Sequence, residues 1–270
     1  MRLNRRPRLG IVGRVFKNAI VRVPGENFAE GLTTVALGVP LYEQVMRQHV
    51  EYCAALRECG LAITELEADA KHPDSTFVED TAVLTARGAV LTRPGAASRE
   101  GEVAAMSGTI RGFFSEMAEI QAPGTVDGGD ICEAENHFLI GLSKRTNEEG
   151  ARQLAGYLAD WGYGSTVVDI RRMESILHLK SGVSYIGDRT MVVTEEMAEA
   201  KCFRGYELIR VPLDESYAAN CVWVNERVLV AAGYPRVEAG MRDRGFCPLV
   251  LEMSEFQKMD GGLSCLSLRF

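Results

Sequence analysis

Apolar positions in this chain fall into short runs that pair across a turn and lead into stretches of helical spacing, and the unit recurs. One copy has strands at 80–84 and 89–92 around a turn at Arg87-Gly88, then a helix over 98–114. A second has strands at 130–132 and 137–141 around Glu135-Asn136, then a helix over 147–161. A third has strands at 220–224 and 227–231 around Asn225-Glu226, then a helix over 234–245. A fourth reads 182–186, a turn at Gly187-Asp188 and 190–193, with a less distinct helix after it. The fifth must be assembled from both ends: residues 264–270 as its first strand, 19–23 as its second, and an amphipathic helix over 41–60 that lacks an Asn or Asp cap at its start. Joining the termini in one module removes free sheet edges. The pattern therefore predicts an α/β fold closed into a ring of five strand-strand-helix modules.

In such a ring the starts of the first strands converge near the axis. Those starts carry Asp80, Asp130, Asn220 and the pair Ser264-Cys265. Asp and Asn form turns at strand starts as a matter of course; their repetition at equivalent places is what points to a buried polar site. Cys265 follows the flexible step Gly261-Gly262 and reads as a nucleophile. A cysteine reacts as the thiolate, so the fold must supply a base or a positive charge. His178, in the apolar setting Ile176-Leu177-His178-Leu179, is the candidate. An activated Cys265 is expected to take up iodoacetamide ahead of the other cysteines.

The 270 residues are 46% hydrophobic, enough for a full core, and a single domain over 1–270 is expected, with residues 1–9 a frayed arm bearing Arg2, Arg5, Arg6 and Arg8. A net charge of −7 gives no polyanion-binding surface, so nucleic acid is not an expected partner. No apolar run approaches the length needed to span a bilayer and no secretion signal stands out. The seven cysteines lack paired spacing, which fits a reduced, cytoplasmic protein. His49, His72 and His137 are scattered, without the spacing of a zinc site. Neither a P-loop nor a Gly-x-Gly-x-x-Gly motif occurs.

Seven stretches in order carry a family resemblance: Asp74-Ser-Thr-Phe-Val-Glu-Asp-Thr81, 92–99, Gly124-Thr-Val-Asp-Gly-Gly-Asp130, 141–147, Leu177-His-Leu-Lys180, Ala218-Ala-Asn-Cys221 and 260–265. The chain resembles the dimethylarginine dimethylaminohydrolases of the guanidino-group modifying, or pentein, superfamily over nearly its whole length. The resemblance implies a five-bladed α/β propeller and hydrolysis of methylated arginine through a covalent cysteine intermediate, with no metal or organic cofactor. It gives Cys265 as nucleophile, His178 as general acid and base, and Asp127 as the carboxylate orienting His178, at a position where some members carry Glu. It further implies that Asp80, aided by Glu79, holds the guanidinium and that Asp74, Arg99 and Arg145 grip the amino-acid end. Leu32 would belong to a flap, Ser181 would make a further polar contact, and the main chain near Met259 would meet the substrate amine. The partner is a small molecule, and the resemblance allows a homodimer.

Two other readings compete. An arginine deiminase of the same superfamily would release ammonia, although those enzymes are usually longer and carry a helical insertion not found here. A non-enzymatic binding propeller would be expected to have lost its nucleophile or base, and both residue types are present.

Overall fold

The computed structural model describes residues 14–270; the basic arm expected over 1–9 lies outside the described residues. In chain order the main elements are β1 (Asn18–Arg22), α1 (Tyr42–Glu58), β2 (Ala62–Leu66), β3 (Ala82–Leu84), β4 (Ala89–Leu91), α2 (Glu100–Arg111) and β5 (Met117–Glu119). Next come β6 (Ile131–Ala134), β7 (His137–Leu142), α3 (Glu148–Asp160), β8 (Gly164–Asp169), the one-turn α4 (Leu179–Gly182), β9 (Val183–Tyr185), β10 (Thr190–Thr194) and β11 (Glu207–Val211). The last are β12 (Val222–Val224), β13 (Arg227–Ala231), α5 (Pro235–Asp243), β14 (Pro248–Leu251), the one-turn α6 (Ser254–Gln257) and β15 (Leu268–Arg269).

The strands form five three-stranded sheets. In each, the middle strand pairs antiparallel with the first strand of its module and parallel with a third strand that follows the helical stretch. The module assembled from both ends forms as the sequence predicts: β15 lies against β1 with Ile20 opposite Leu268, and β1 pairs in parallel with β2. The repeat is thus strand, strand, helix, strand. In the fourth module the long helix is replaced by a single turn at Lys201–Phe203.

Local chemistry explains the helices. Asn147 caps α3, its Oδ1 accepting the Gly150 N–H at 2.8 Å, and Ala151, Leu154 and Leu158 bury one face. Helix α1 has no side-chain cap of its own. The Glu255 carboxylate serves instead, accepting the Leu41 N–H at 2.6 Å where the helix dipole favours negative charge. Val45, Tyr52, Cys53 and Leu56 of α1 pack against Phe28, Phe77 and Phe256 in one apolar cluster; each such burial stabilises the fold by about 1.5–3 kcal/mol. No helix among the described residues is long and apolar enough to cross a membrane.

Each module's first strand is entered through a short helical turn: Val78–Thr81 before β3, Gly128–Asp130 before β6, α4 before β9, Leu213–Ala219 before β12 and Ser264–Leu266 before β15. Hydrogen bonds link these turns in a cycle. Asp80 Oδ1 accepts the Gly129 N–H at 2.8 Å, and Asp130 Oδ1 accepts the Leu179 N–H at 3.0 Å. Ser184, just after α4, donates to the Ala219 carbonyl at 2.8 Å and accepts the Cys221 N–H at 3.2 Å. Asn220 Oδ1 accepts the Ser264 N–H at 2.9 Å, and Ser264 Oγ donates to Glu79 Oε2 at 2.7 Å, returning to the first turn.

Candidate active site

The polar residues expected to converge stand on these five turns. Two glycines let the turns approach. A Cβ on Gly128 would lie 1.9 Å from the Glu79 carbonyl oxygen, and one on Gly129 would lie 2.9 Å from the His178 ring. The Gly-Gly step between Asp127 and Asp130 is therefore where two turns and an imidazole meet.

His178 caps α4, and its side chain is turned into the protein. Its Nε2 lies 2.9 Å from Oδ2 of the fully buried Asp127. Asp127 Oδ1 accepts the Gly95 N–H at 2.8 Å, which fixes the carboxylate. Burial acts to lower the His178 pKa, but the carboxylates of Asp80, Asp127 and Asp130 outweigh it and raise the value to about 9. His178 is thus an imidazolium at neutral pH. Asp130 itself is spent on structure, its Oδ2 accepting from Ser143 Oγ and Thr146 Oγ1, both at 2.6 Å.

Cys265 is half-buried, and its Sγ accepts the Gly262 N–H at 3.4 Å. Burial, then the Glu79 and Asp80 carboxylates, push its thiol up to about 12, with the Gly262 N–H and Lys180 acting the other way. Without substrate the sulfur is a neutral thiol. Burial and the negative charges beside it disfavour the thiolate in the ligand-free site, and Cys247 is the exposed thiol, so both run against the expectation that Cys265 takes up iodoacetamide first.

Asp80 is buried, and one oxygen takes the Gly129 N–H while the other pairs with Arg99 Nη1 at 2.5 Å. Burial works to raise its pKa, yet Arg99, His178 and that N–H hold it below the usual carboxylate range. Each oxygen retains a lone pair. Glu79 is engaged elsewhere than beside Asp80: Oε1 lies 2.6 Å from Lys180 Nζ and Oε2 takes the Ser264 hydroxyl. Arg99 is also turned inward, bonding Asp80, Glu102 and the carbonyls of Asp74 and Phe77. Arg145 is half-buried and acts electrostatically on Asp74. Asp74 accepts the Leu32 N–H at 3.1 and 3.3 Å from its two oxygens. Ser181 Oγ accepts the His178 N–H at 3.4 Å, beneath the imidazole. Met259 is buried in the α1 cluster and precedes Asp260, which has a φ of 57°.

The loop bearing Leu32 is anchored across the molecule: Thr33 Oγ1 donates to the Lys258 carbonyl at 2.9 Å, and the Thr34 N–H donates to Asp260 Oδ2 at 2.5 Å. Beneath it is a cavity of about 500 Å³ bordered by Thr34, Ser181, Asn220, Asp260 and Gly262. A second cavity, of about 580 Å³, takes wall residues from β3, β6, β9, β12 and β15. Glu79, Lys180 and Ser264 line it. Lys180 and the flap anchor Asp260 were not singled out by sequence; a lysine at a helix start and an aspartate before Gly-Gly read as solvated and turn-forming.

Among the described residues, two side-chain groups have metal-ligand spacing. Ligand atoms of Asp80, Asp127 and His178 lie within 4.8 Å of one another, as do those of His49, Cys53 and Glu65 on α1 and β2. In the first, the His178 nitrogen is committed to Asp127 and carries a proton at neutral pH, which a metal would have to displace.

A buried Asp-His pair, a thiol on an adjoining turn and a carboxylate that accepts fork-shaped cations define a class of enzyme acting on guanidino groups. A family model described as arginine deiminase matches residues 70–221. Within that class the chain belongs to the dimethylarginine dimethylaminohydrolase family. It is 44% identical to the enzyme of that name from Pseudomonas aeruginosa over 95% of this chain and 100% of the relative. A crystal structure of a mutant of the Pseudomonas aeruginosa enzyme complexed with citrulline superposes with a TM-score of 0.92 at 43% identity, covering 95% of this chain and all of that one. A dimethylarginine dimethylaminohydrolase adduct with S-methyl-L-thiocitrulline gives the same TM-score, identity and coverage.

Proposed function

We propose that this protein hydrolyses asymmetric N-omega-methylated arginines to citrulline and dimethylamine, or methylamine from the monomethyl substrate. The observation that carries the reading is the pairing of His178, held as an imidazolium by buried carboxylates, with a neutral Cys265 thiol. Such a site is idle until a cation enters. A guanidinium accepted by the free lone pairs of Asp80 brings positive charge beside the sulfur, lowers its pKa and makes the thiolate, the thiol proton passing to solvent because His178 already carries its own. Charge-assisted hydrogen bonds of this kind contribute about 1.5–3 kcal/mol each.

Cys265 Sγ then attacks the guanidino carbon, and His178 gives its proton to the departing amine as the C–N bond breaks. An S-alkylthiouronium remains on Cys265. The now neutral His178 takes a proton from water as the hydroxide adds to the same carbon, and the C–S bond breaks as the new hydroxyl gives its proton to the departing sulfur, returning thiol and citrulline. One imidazole serves both halves, a contribution of roughly 100-fold to 10,000-fold. Asp127 orients it. Asp74 and Arg145 take the amino-acid end, with Arg99 bonded both to the Asp74 carbonyl and to Asp80 at the guanidinium end. Leu32, on the anchored loop, covers the ligand, while Ser181 and the main chain at Met259 complete its polar surroundings.

We read the five sheets as blades of one α/β propeller and residues 1–270 as a single catalytic unit. Seven free cysteines support a reducing, cytoplasmic setting. The test is release of citrulline and dimethylamine from asymmetric dimethylarginine, beside free arginine, with Cys265→Ser as control. Dimethylamine formation that vanishes in the variant is the expected result. Ammonia from arginine alone would move the protein to the deiminases, and silence on both substrates would revive a binding role.

A further inference from the structure

The 580 Å³ cavity is lined in part by Glu79, Lys180 and Ser264, and Ser264 belongs to the turn that carries Cys265. There Lys180 Nζ lies 2.6 Å from Glu79 Oε1, Glu79 Oε2 takes the Ser264 hydroxyl at 2.7 Å, and Ser264 is the residue before Cys265. Glu79 is 4% exposed, so its charge needs a partner inside the protein. Arg269 Nη2 is also near, at 3.5 Å from Oε1.

We propose that Lys180 is a positioning residue for Cys265: from the cavity side it holds Glu79 and, through Ser264, the nucleophile's turn, and it supplies positive charge that favours the thiolate. Several groups meet at the sulfur. Glu79 and Asp80, from the turn before β3, disfavour the thiolate, whereas Lys180 on α4 and the Gly262 N–H favour it. Tyr217, before β12, senses the same thiol and donates its hydroxyl to the Gly261 carbonyl at 2.7 Å. His178 faces Asp80 from the substrate side, and Arg269 faces Glu79 from β15. Without Lys180, Glu79 would be left as a poorly compensated carboxylate behind the thiol. The inference rests on reading Cys265 as the nucleophile.

The test uses two substitutions whose effects must differ in sign. Iodoacetamide uptake at Cys265, followed by peptide mass spectrometry below the thiol pKa, should slow about tenfold in Lys180→Met and quicken in Glu79→Gln, as expected for charges within a few ångströms of a titrating group. Lys180→Arg should restore the wild-type rate. In turnover of dimethylarginine, Lys180→Met should also move the acidic limb of kcat upward by on the order of one pH unit. A purely structural role would loosen the turn in both variants and quicken labelling in both. Shifts of the same sign, or none, would overturn the proposal. If the wild type releases no dimethylamine, the proposed activity fails, yet the labelling rates still decide the role of Lys180.

Discussion

Burial and the Glu79 and Asp80 carboxylates push the Cys265 thiol up to about 12, so on the proposed mechanism the sulfur acquires its charge as substrate binds. This makes selectivity and reactivity one event: only a ligand that brings a cation to Asp80 arms the sulfur. In ligand-free protein, iodoacetamide should therefore label the exposed Cys247 first, while the rate at Cys265 climbs steadily with pH without levelling off in the neutral range. Peptide mapping across a pH series checks this, and a plateau near neutrality at Cys265 would show a thiolate at rest. Much at this scale was legible in the sequence. Cys265, His178 and Asp127 were named from motif and context, and His178 and Asp127 are hydrogen-bonded as expected. The directions of Glu79 and Arg99 were not legible. Both are charged groups on turns, and which way a turn faces is set by the neighbouring module, not by its own residues.

Among the elements, the middle strands and longer helices were readable because each buries a row of apolar residues, as β10 does with Met191, Val192 and Val193. The third strands were not. Strands β2, β5 and β8 contain no fully buried residue, so their sequences lack the period-two alternation that marks a half-buried strand. Glycine positions separate two roles in the same way. A Cβ on Gly108, in α2, would meet nothing within 4 Å, whereas one on Gly129 meets His178 and Asp80. Gly108→Ala should accordingly raise the unfolding free energy by about 0.5–1 kcal/mol. Gly129→Ala should lower kcat at least tenfold by displacing the imidazole. Thermal unfolding and steady-state kinetics on both variants test the pair; equal behaviour would refute the distinction.

For the whole molecule, the decisive contact is β15 on β1, which joins residues from opposite ends of the sequence. Removing residues 268–270 would bare the edge of β1 and leave Ile20 without Leu268 opposite it. The truncated protein should unfold at markedly lower denaturant concentration and lose activity with Cys265 still present. An unchanged midpoint would mean that the terminal strand contributes little. The closed cycle of hydrogen bonds among the five turns also bears on how the protein is made. Ser264, which closes the cycle onto Glu79, and the adjoining Cys265 follow every strand of the other four sheets in the order of synthesis. A chain that stops short of residue 264 can therefore hold the segments of four sheets without Cys265 or the Ser264–Glu79 contact, and such a product should be inert.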